Sequence, residues 1–134
     1  MTDTVAETST DPRMTSLRIV VADNDPAVVE LLCTDLSLEG HDVVASVLSG
    51  EAAFEACRVH RPQVLIVDYR MPPGWDGLET ISRVRAAGTA EHCILYSNYR
   101  SPRIAALTDG LGGIYVKKGP LRALRSALAA LDVG

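Results

Sequence analysis

Aromatic residues are scarce in this chain. One Trp, one Phe and four Tyr amount to 4% of its 134 residues, so a buried core has to be built from Val, Leu, Ile and Ala. No apolar stretch approaches the ~18 residues that a membrane-spanning helix needs, and the N-terminus lacks the charged-then-apolar pattern of a signal peptide. The net charge is −4 and no basic run stands out. We therefore expect this chain neither to bind nucleic acid directly nor to enter a membrane.

Cysteine is also rare. Cys33, Cys57 and Cys93 lie far apart in apolar settings, without the spacing of metal ligands. This pattern favours buried free thiols in a reducing compartment, which predicts a cytoplasmic protein. A glycine-rich nucleotide-binding loop is missing as well.

What the chain does contain is a regular alternation of short apolar runs and helical stretches. Residues 1–16 are polar without periodicity and predict a disordered tail, followed by one domain over residues 17–134. The expected strands are 17–22, 42–48, 64–67, 93–96 and 114–116, and the expected helices are 26–39, 51–60, 76–87, 102–108 and 121–131. Strands that alternate with helices predict an α/β fold, a doubly wound, five-stranded parallel sheet with five helices. A flavodoxin-like strand order, 2-1-3-4-5, would bring the first and third strands together at the switch point.

Polar residues follow the ends of four of these strands. They are residues 23–25 (Asp-Asn-Asp), Asp68, Ser97 and Lys117, and in an open parallel sheet the carboxyl ends of the strands meet at one edge. Crowded carboxylates need a cation among them, and oxygen ligands suit Mg²⁺. A lysine and a hydroxyl beside them could bind phosphoryl oxygens. The pattern therefore predicts a phosphoryl-transfer site.

Each residue also has an ordinary structural interpretation. Asp25 before Pro26 is a good helix N-cap, Asp68 could begin the turn over residues 69–74, Ser97 could begin a loop, and Lys117 could be a solvated surface residue. Their common location at one edge of the sheet favours a site.

Four segments carry a resemblance to a known family. IVVADNDP, VLIVDYRMPPGWDG, ILYSN and GIYVKKG resemble the receiver domain of bacterial two-component response regulators, and the similarity extends from about Leu17 to Leu131. The resemblance implies that Asp68 accepts a phosphoryl group from a sensor histidine kinase or a histidine phosphotransfer protein, and that Ser97 and Lys117 contact the phosphoryl oxygens. It implies a Mg²⁺ site formed by Asp23, Asn24, Asp68 and the backbone carbonyl of Arg70. It also implies that the protein is a signalling module and not an enzyme. The module would act on a downstream protein through the face of helix four, strand five and helix five, and the resemblance allows a homodimer.

The sequence departs from the family pattern at four positions. Asn24 replaces a charged metal ligand, so Mg²⁺ binding should be weak. The loop after Asp68 is one residue longer than the common pattern. The strand-five position that often holds a switching aromatic residue is expected at Ile114, with Tyr115 on the opposite face. Lys118 follows Lys117 at the position where the family often has a proline.

Two other functions stay open. The first is a pseudo-receiver, an interaction module that works without phosphorylation, which Asn24 and Ile114 favour and Asp68, Ser97 and Lys117 oppose. The second, more remote, is a haloacid-dehalogenase-type phosphatase, since residues 20–25 resemble the aspartate-containing motif with which such enzymes begin. Such enzymes need further acidic metal ligands beyond the lysine, and here only Asp132 follows Lys117.

Overall fold

Five parallel strands form a single sheet in the order β2-β1-β3-β4-β5, which confirms the predicted topology. The computed structural model describes residues 16–99 and 101–133, so the predicted disordered tail lies, except for Ser16, outside the described residues. The strands are β1 (Arg18–Ala22), β2 (Asp42–Val47), β3 (Val64–Val67), β4 (His92–Ser97) and β5 (Ile114–Lys117).

Five helices connect and follow the strands, as predicted. They are α1 (Pro26–Leu38), α2 (Gly50–His60), α3 (Gly77–Ala87), α4 (Pro102–Gly110) and α5 (Leu121–Ala129). The first four begin after a side chain that accepts a hydrogen bond from a backbone N–H of the first turn, at Asp25, Ser49, Asp76 and Ser101 respectively. Such caps satisfy backbone donors that the helix leaves unpaired. Helix α5 follows Pro120, and the described residues provide it with no side-chain cap.

Side chains alternate between the two faces of the sheet and form two aliphatic cores. On one face Val20, Leu65 and Leu95 pack against α2, α3 and α4. On the other face Val21 and Ile66 pack against α1 and α5. β3 lies at the centre, and all four of its residues are 0% exposed. The site therefore stands at the edge of a sheet that is covered on both faces.

Two of the three cysteines, Cys57 and Cys93, belong to this framework. All three are free within the described part of the chain. Burial raises the pKa of Cys57 and of Cys93 to about 12, so neither thiol is a thiolate at neutral pH. In residues 16–99 and 101–133 no helix has both the length and the apolar character to cross a membrane.

Candidate functional site

Three of the predicted polar residues meet at the carboxyl edge of the sheet. Asp23 directly follows β1, Asp68 directly follows β3, and Ser97 is the last residue of β4. β1 and β3 are neighbours, and the N–H of Asp68 donates to the carbonyl of Ala22 at 3.0 Å. Two carboxylates are thereby held side by side where the strand order reverses, the usual position of a binding crevice in such sheets.

Lys118 supplies the cation between these carboxylates. Its Nζ lies 2.6 Å from Oδ2 of Asp23 and 3.6 Å from Oδ1 of Asp68. The side chains are largely withdrawn from water, with exposed fractions of 13% for Lys118, 3% for Asp23 and 13% for Asp68. Because low exposure limits screening by solvent, the ammonium group is a strong local source of positive charge.

The expectation that Lys117 occupies this place is wrong. Strand β5 continues through Lys117, which pairs with Ser97 of β4, so the first residue beyond the strand is Lys118. The Nζ of Lys117 donates to the carbonyl of Lys118 at 3.3 Å. Its side chain lines a groove beside α4 together with Pro102 and Tyr115. The residue that follows the site's lysine is accordingly Gly119.

The three residues after β1 have different positions. Asp23 is fixed by two bonds, since its Oδ1 accepts the N–H of Asp25 at 2.9 Å and its Oδ2 contacts Lys118. Asp25 caps α1, as its structural interpretation predicted, by accepting the N–H of Ala27 at 3.0 Å. Asn24 is exposed and lines the cleft above Asp68. Of the three, Asn24 lines the cleft, whereas Asp23 is 2% exposed and contacts Lys118.

Asp68 has an altered acidity. Burial raises the pKa of its carboxyl group, and the negative charge of Asp23 raises it further. The ammonium group of Lys118 and the N–H of Tyr69, which donates to Oδ1 at 2.8 Å, oppose this rise. The net rise in pKa makes the carboxylate of Asp68 more basic than an ordinary aspartate.

An open cleft of about 270 Å³ lies in front of Asp68. Its lining consists of Asn24, Asp68, Arg70, Pro72, Ser97, Asn98, Tyr99 and Lys118. A water molecule takes up ~30 Å³ in the liquid, so a small anion and several waters fit. The lining offers a carboxylate, an amide, a hydroxyl and an ammonium group, the donors and acceptors that phosphoryl transfer requires.

Tyr99 joins this cleft to strand β5. Its N–H donates to Oγ of Ser97 at 3.2 Å, and its carbonyl accepts the hydroxyl of Tyr115. Tyr115 packs with the core on the α4 side, whereas Ile114 is 37% exposed. The expectation that Ile114 takes the aromatic position is therefore wrong: Tyr115, and not Ile114, lies three residues before the lysine of the site.

The loop after Asp68 is held from two sides. At its end, Gly77 approaches Asp68 so closely that a Cβ there would lie 2.3 Å from the carbonyl oxygen of Asp68. In its middle, the N–H of Trp75 donates to the Glu51 carboxylate at 3.1 Å. The guanidinium group of Arg83 lies 4.2 Å from the centre of the Trp75 ring, within the range of a cation–π contact. These contacts fix the loop beside the cleft.

The donor set fits a hard divalent cation in part. Carboxylate and amide oxygens are the ligands that Mg²⁺ prefers, and Lys118 already places a positive charge between the two carboxylates. No three His, Cys, Asp or Glu side chains of the described residues form a group that could hold a metal. The acidic donors here are Asp23 and Asp68, and the amide of Asn24 adds an oxygen without charge. The residues thus fit a Mg²⁺ that keeps several waters.

Comparisons with known proteins agree with this geometry. The family model for the response regulator receiver domain matches residues 19–129. A probable transcriptional regulatory protein NarL of Mycobacterium tuberculosis is 36% identical over 110 residues, which cover 80% of this chain and 50% of that protein. The chain thus spans about half the length of this relative.

Solved structures are similar as well. The receiver domain of the putative response regulator NarL from Mycobacterium tuberculosis has a TM-score of 0.76 and 31% identity, over 84% of this chain and 93% of that one. A chain of the CheX–CheY–BeF3–Mg complex from Borrelia burgdorferi has the same fold, with a TM-score of 0.75 and 19% identity over 86% of this chain and 90% of that one. With the predicted sheet order and the residues at its edge, these matches show that the chain belongs to the receiver-domain family of two-component response regulators, a family of signalling modules.

Proposed function

We propose that this receiver accepts a phosphoryl group on Asp68 from the phosphohistidine of a sensor histidine kinase or a histidine phosphotransfer protein, in the presence of Mg²⁺. The observation that carries the proposal is the position of the Asp68 carboxylate. It faces an open cleft, and the ammonium group of Lys118 lies between it and a second carboxylate, that of Asp23.

The transfer follows from the contacts of Asp68. Its Oδ1 is engaged by the N–H of Tyr69 and by Lys118, so we assign the attack on phosphorus to Oδ2. A P–O bond forms while the P–N bond of the phosphohistidine breaks. The imidazole leaves with the electron pair of that bond and takes up a proton from solvent. The basic character of the Asp68 carboxylate, which follows from its raised pKa, favours this attack.

The surrounding residues neutralise the charge that the phosphoryl group brings. Lys118 is close enough to exchange its contact with Asp23 for a phosphoryl oxygen, and Ser97 can donate its hydroxyl hydrogen to another. Asp23, Asn24, Asp68 and the backbone carbonyl of Arg70 are the residues that would hold Mg²⁺. When bound, the cation supplies the positive charge that neutralises carboxylate and phosphoryl oxygens. Because Asn24 brings no charge, binding should be weak.

A route for readout passes through Tyr99. If the hydroxyl of Ser97 turns towards a phosphoryl oxygen, its hydrogen bond to the N–H of Tyr99 is lost. The carbonyl of the same residue holds the hydroxyl of Tyr115, so the change reaches β5 and the groove beside α4. A downstream protein that binds the face of α4, β5 and α5 would sense it. A coupling free energy of ~1–3 kcal/mol would suffice for a switch.

The test is phosphorylation by acetyl phosphate with and without Mg²⁺, followed by intact mass. We expect the mass of one added phosphoryl group, its loss in Asp68→Asn, and its retention in Asp25→Asn. The latter is a matched control because Asp25 lies at the same edge and Asn caps helices as well as Asp. Labelling that persists in Asp68→Asn contradicts the assignment. An unlabelled wild-type protein at saturating Mg²⁺ favours the interaction module that works without phosphorylation.

A further inference from the structure

Tyr96 lies beneath the site, on the face of the sheet that packs against α1 and α5. It is 4% exposed and packs in the core between the sheet and helices α1 and α5, with Leu36 and Leu124 among its cluster. Among the fully buried members of the two core clusters of the described chain, it is the one aromatic residue. The Nζ of Lys118 is 5.9 Å from the centre of its ring, within the ~6 Å of a cation–π contact. The ring therefore contacts the same ammonium group that bridges the carboxylates.

An ion pair between a buried carboxylate and a guanidinium group that is 45% exposed joins α1 to α5. Asp35 of α1 is 8% exposed, and both of its oxygens accept from Arg125 of α5, one of them at 3.2 Å from Nε. Burial raises the pKa of the Tyr96 phenol. The Gly119 N–H and Lys118 oppose that rise, and Asp35 adds to it. The ring shares its buried cluster with Leu36 and Leu124, which are the chain neighbours of Asp35 and Arg125, so the ring and the ion pair belong to one packed region.

Helix α5 is held by these contacts as well as by the apolar packing of Leu124 and Leu128. It begins after Lys118, Gly119 and Pro120, and the described residues give it no side-chain cap, in contrast to the other four helices. The N–H of Lys118 donates to the carbonyl of Ser97 at 2.8 Å. The segment that leads into α5 is thus bound to the site, while the middle of the helix is tied to α1 through Arg125.

We propose that Tyr96 couples the position of Lys118 to the packing of α5 on α1, which gives this receiver a second readout on the face opposite Tyr115. The inference rests on the proposed phosphorylation of Asp68. A phosphoryl group and its cation compete with Asp23 for Lys118, so the ammonium group shifts relative to the Tyr96 ring. The ring is packed too tightly to follow, because close-packed cores have discrete arrangements and do not deform continuously. The shift is therefore taken up by the segment that begins α5 and by the Arg125–Asp35 pair.

NMR with Mg²⁺ and beryllofluoride, which mimics a phosphoryl group, tests the proposal. In the wild-type protein we expect shifts at Asp68 and Ser97, and also at the side-chain Nε–Hε of Arg125 and the backbone amides of α5. Tyr96→Leu should remove the shifts at Arg125 and α5 while those at the site persist. Tyr96→Phe should retain them, because the ring remains.

Tyr115→Leu is the matched control on the opposite face, and it should leave the response of Arg125 intact. If Tyr96→Leu does not fold, Asp35→Asn breaks the path one step later and should likewise uncouple α5 from the site. Shifts at the site without any at Arg125 in the wild-type protein overturn the inference and leave the proposed function standing. So does a response of α5 that survives Tyr96→Leu. No shift at any residue overturns both proposals.

Discussion

Replacing Lys118 by Met tests the arrangement of charges at the site. Methionine keeps most of the length and the apolar stem of the side chain but removes the charge that lies 2.6 Å from Asp23 and 3.6 Å from Asp68. Both carboxylates are mostly shielded from water, and breaking a buried pair by removing one partner costs ~3–5 kcal/mol of folding free energy. The variant should therefore lose much of its stability at pH 7 and remain folded, since domains of this size have ~5–15 kcal/mol.

Protonation sets an upper limit to the cost of the unpaired charge. A carboxyl group with an ordinary pKa of ~3.9 can be protonated at pH 7 for (7 − 3.9) × 1.36, or ~4 kcal/mol. At pH 5 the same step costs (5 − 3.9) × 1.36, or ~1.5 kcal/mol. We therefore expect Lys118→Met to lose ~3–4 kcal/mol at pH 7 and less than half as much at pH 5.

Lys117→Met is the matched control, because the two residues are adjacent and undergo the same change. The Nζ of Lys117 donates to a backbone carbonyl and contacts neither carboxylate of the site, so its replacement should change stability by less than ~0.5 kcal/mol. Urea unfolding followed by circular dichroism at pH 7 and pH 5, without Mg²⁺, gives both values. Equal losses in the two variants, or a loss in Lys118→Met that does not shrink at pH 5, would refute the reasoning.

Three further predictions concern the same edge of the sheet. Asp68→Asn should raise the free energy of unfolding at pH 7: the folded-state pKa of this carboxyl lies above its unfolded value, so its ionisation costs stability. That gain, measured by urea unfolding, should disappear as the pH falls towards ~3.9, and a less stable variant at pH 7 would count against it. Asn24→Asp should tighten Mg²⁺ binding by ~1 kcal/mol, about fivefold, in a calorimetric titration, because ligand charge tunes such sites; unchanged affinity would exclude this residue as a ligand. Gly77→Ala should lower the free energy of unfolding by ~1–3 kcal/mol, because its Cβ would meet the Asp68 carbonyl oxygen at 2.3 Å. Gly110→Ala is the control, since no described atom lies within 4 Å of its Cβ, and it should be neutral or slightly stabilising in thermal unfolding.

The fold followed from the sequence because its signals are local and repeated. The all-apolar run at residues 64–67 predicted a strand, and β3 is a strand whose four residues are fully buried. Gly88 ends α3 in a left-handed conformation with a φ of 66°, which few other residues adopt without cost. Since strands of a doubly wound sheet end at one edge, the positions of Asp23 and Asp68 followed as well.

The choice between the two lysines did not follow from the sequence. The apolar run of β5 ends at Val116, but hydrogen bonding extends the strand by one residue, to Lys117. Neighbouring strand residues point to opposite faces, so this single step exchanges Lys117 for Lys118 and Ile114 for Tyr115. Register with β4 decides it, and register is a tertiary property. The bond from the N–H of Trp75 to Glu51 was missed for a similar reason, since 24 residues separate the partners and neither has a local signal.

The burial of β3 has a consequence for hydrogen exchange. Its four residues are 0% exposed and lie between β1 and β4, so their amides should exchange with solvent only when the whole domain unfolds. Asp68 follows this strand, whereas Ser97 and Lys118 lead into loops whose amides can exchange through local opening. A ligand at the site should therefore slow exchange in the loops through local protection and slow it in β3 only through the gain in global stability. The ratio of the two effects would compare how strongly binding restrains local opening of the loops with how strongly it stabilises the whole domain.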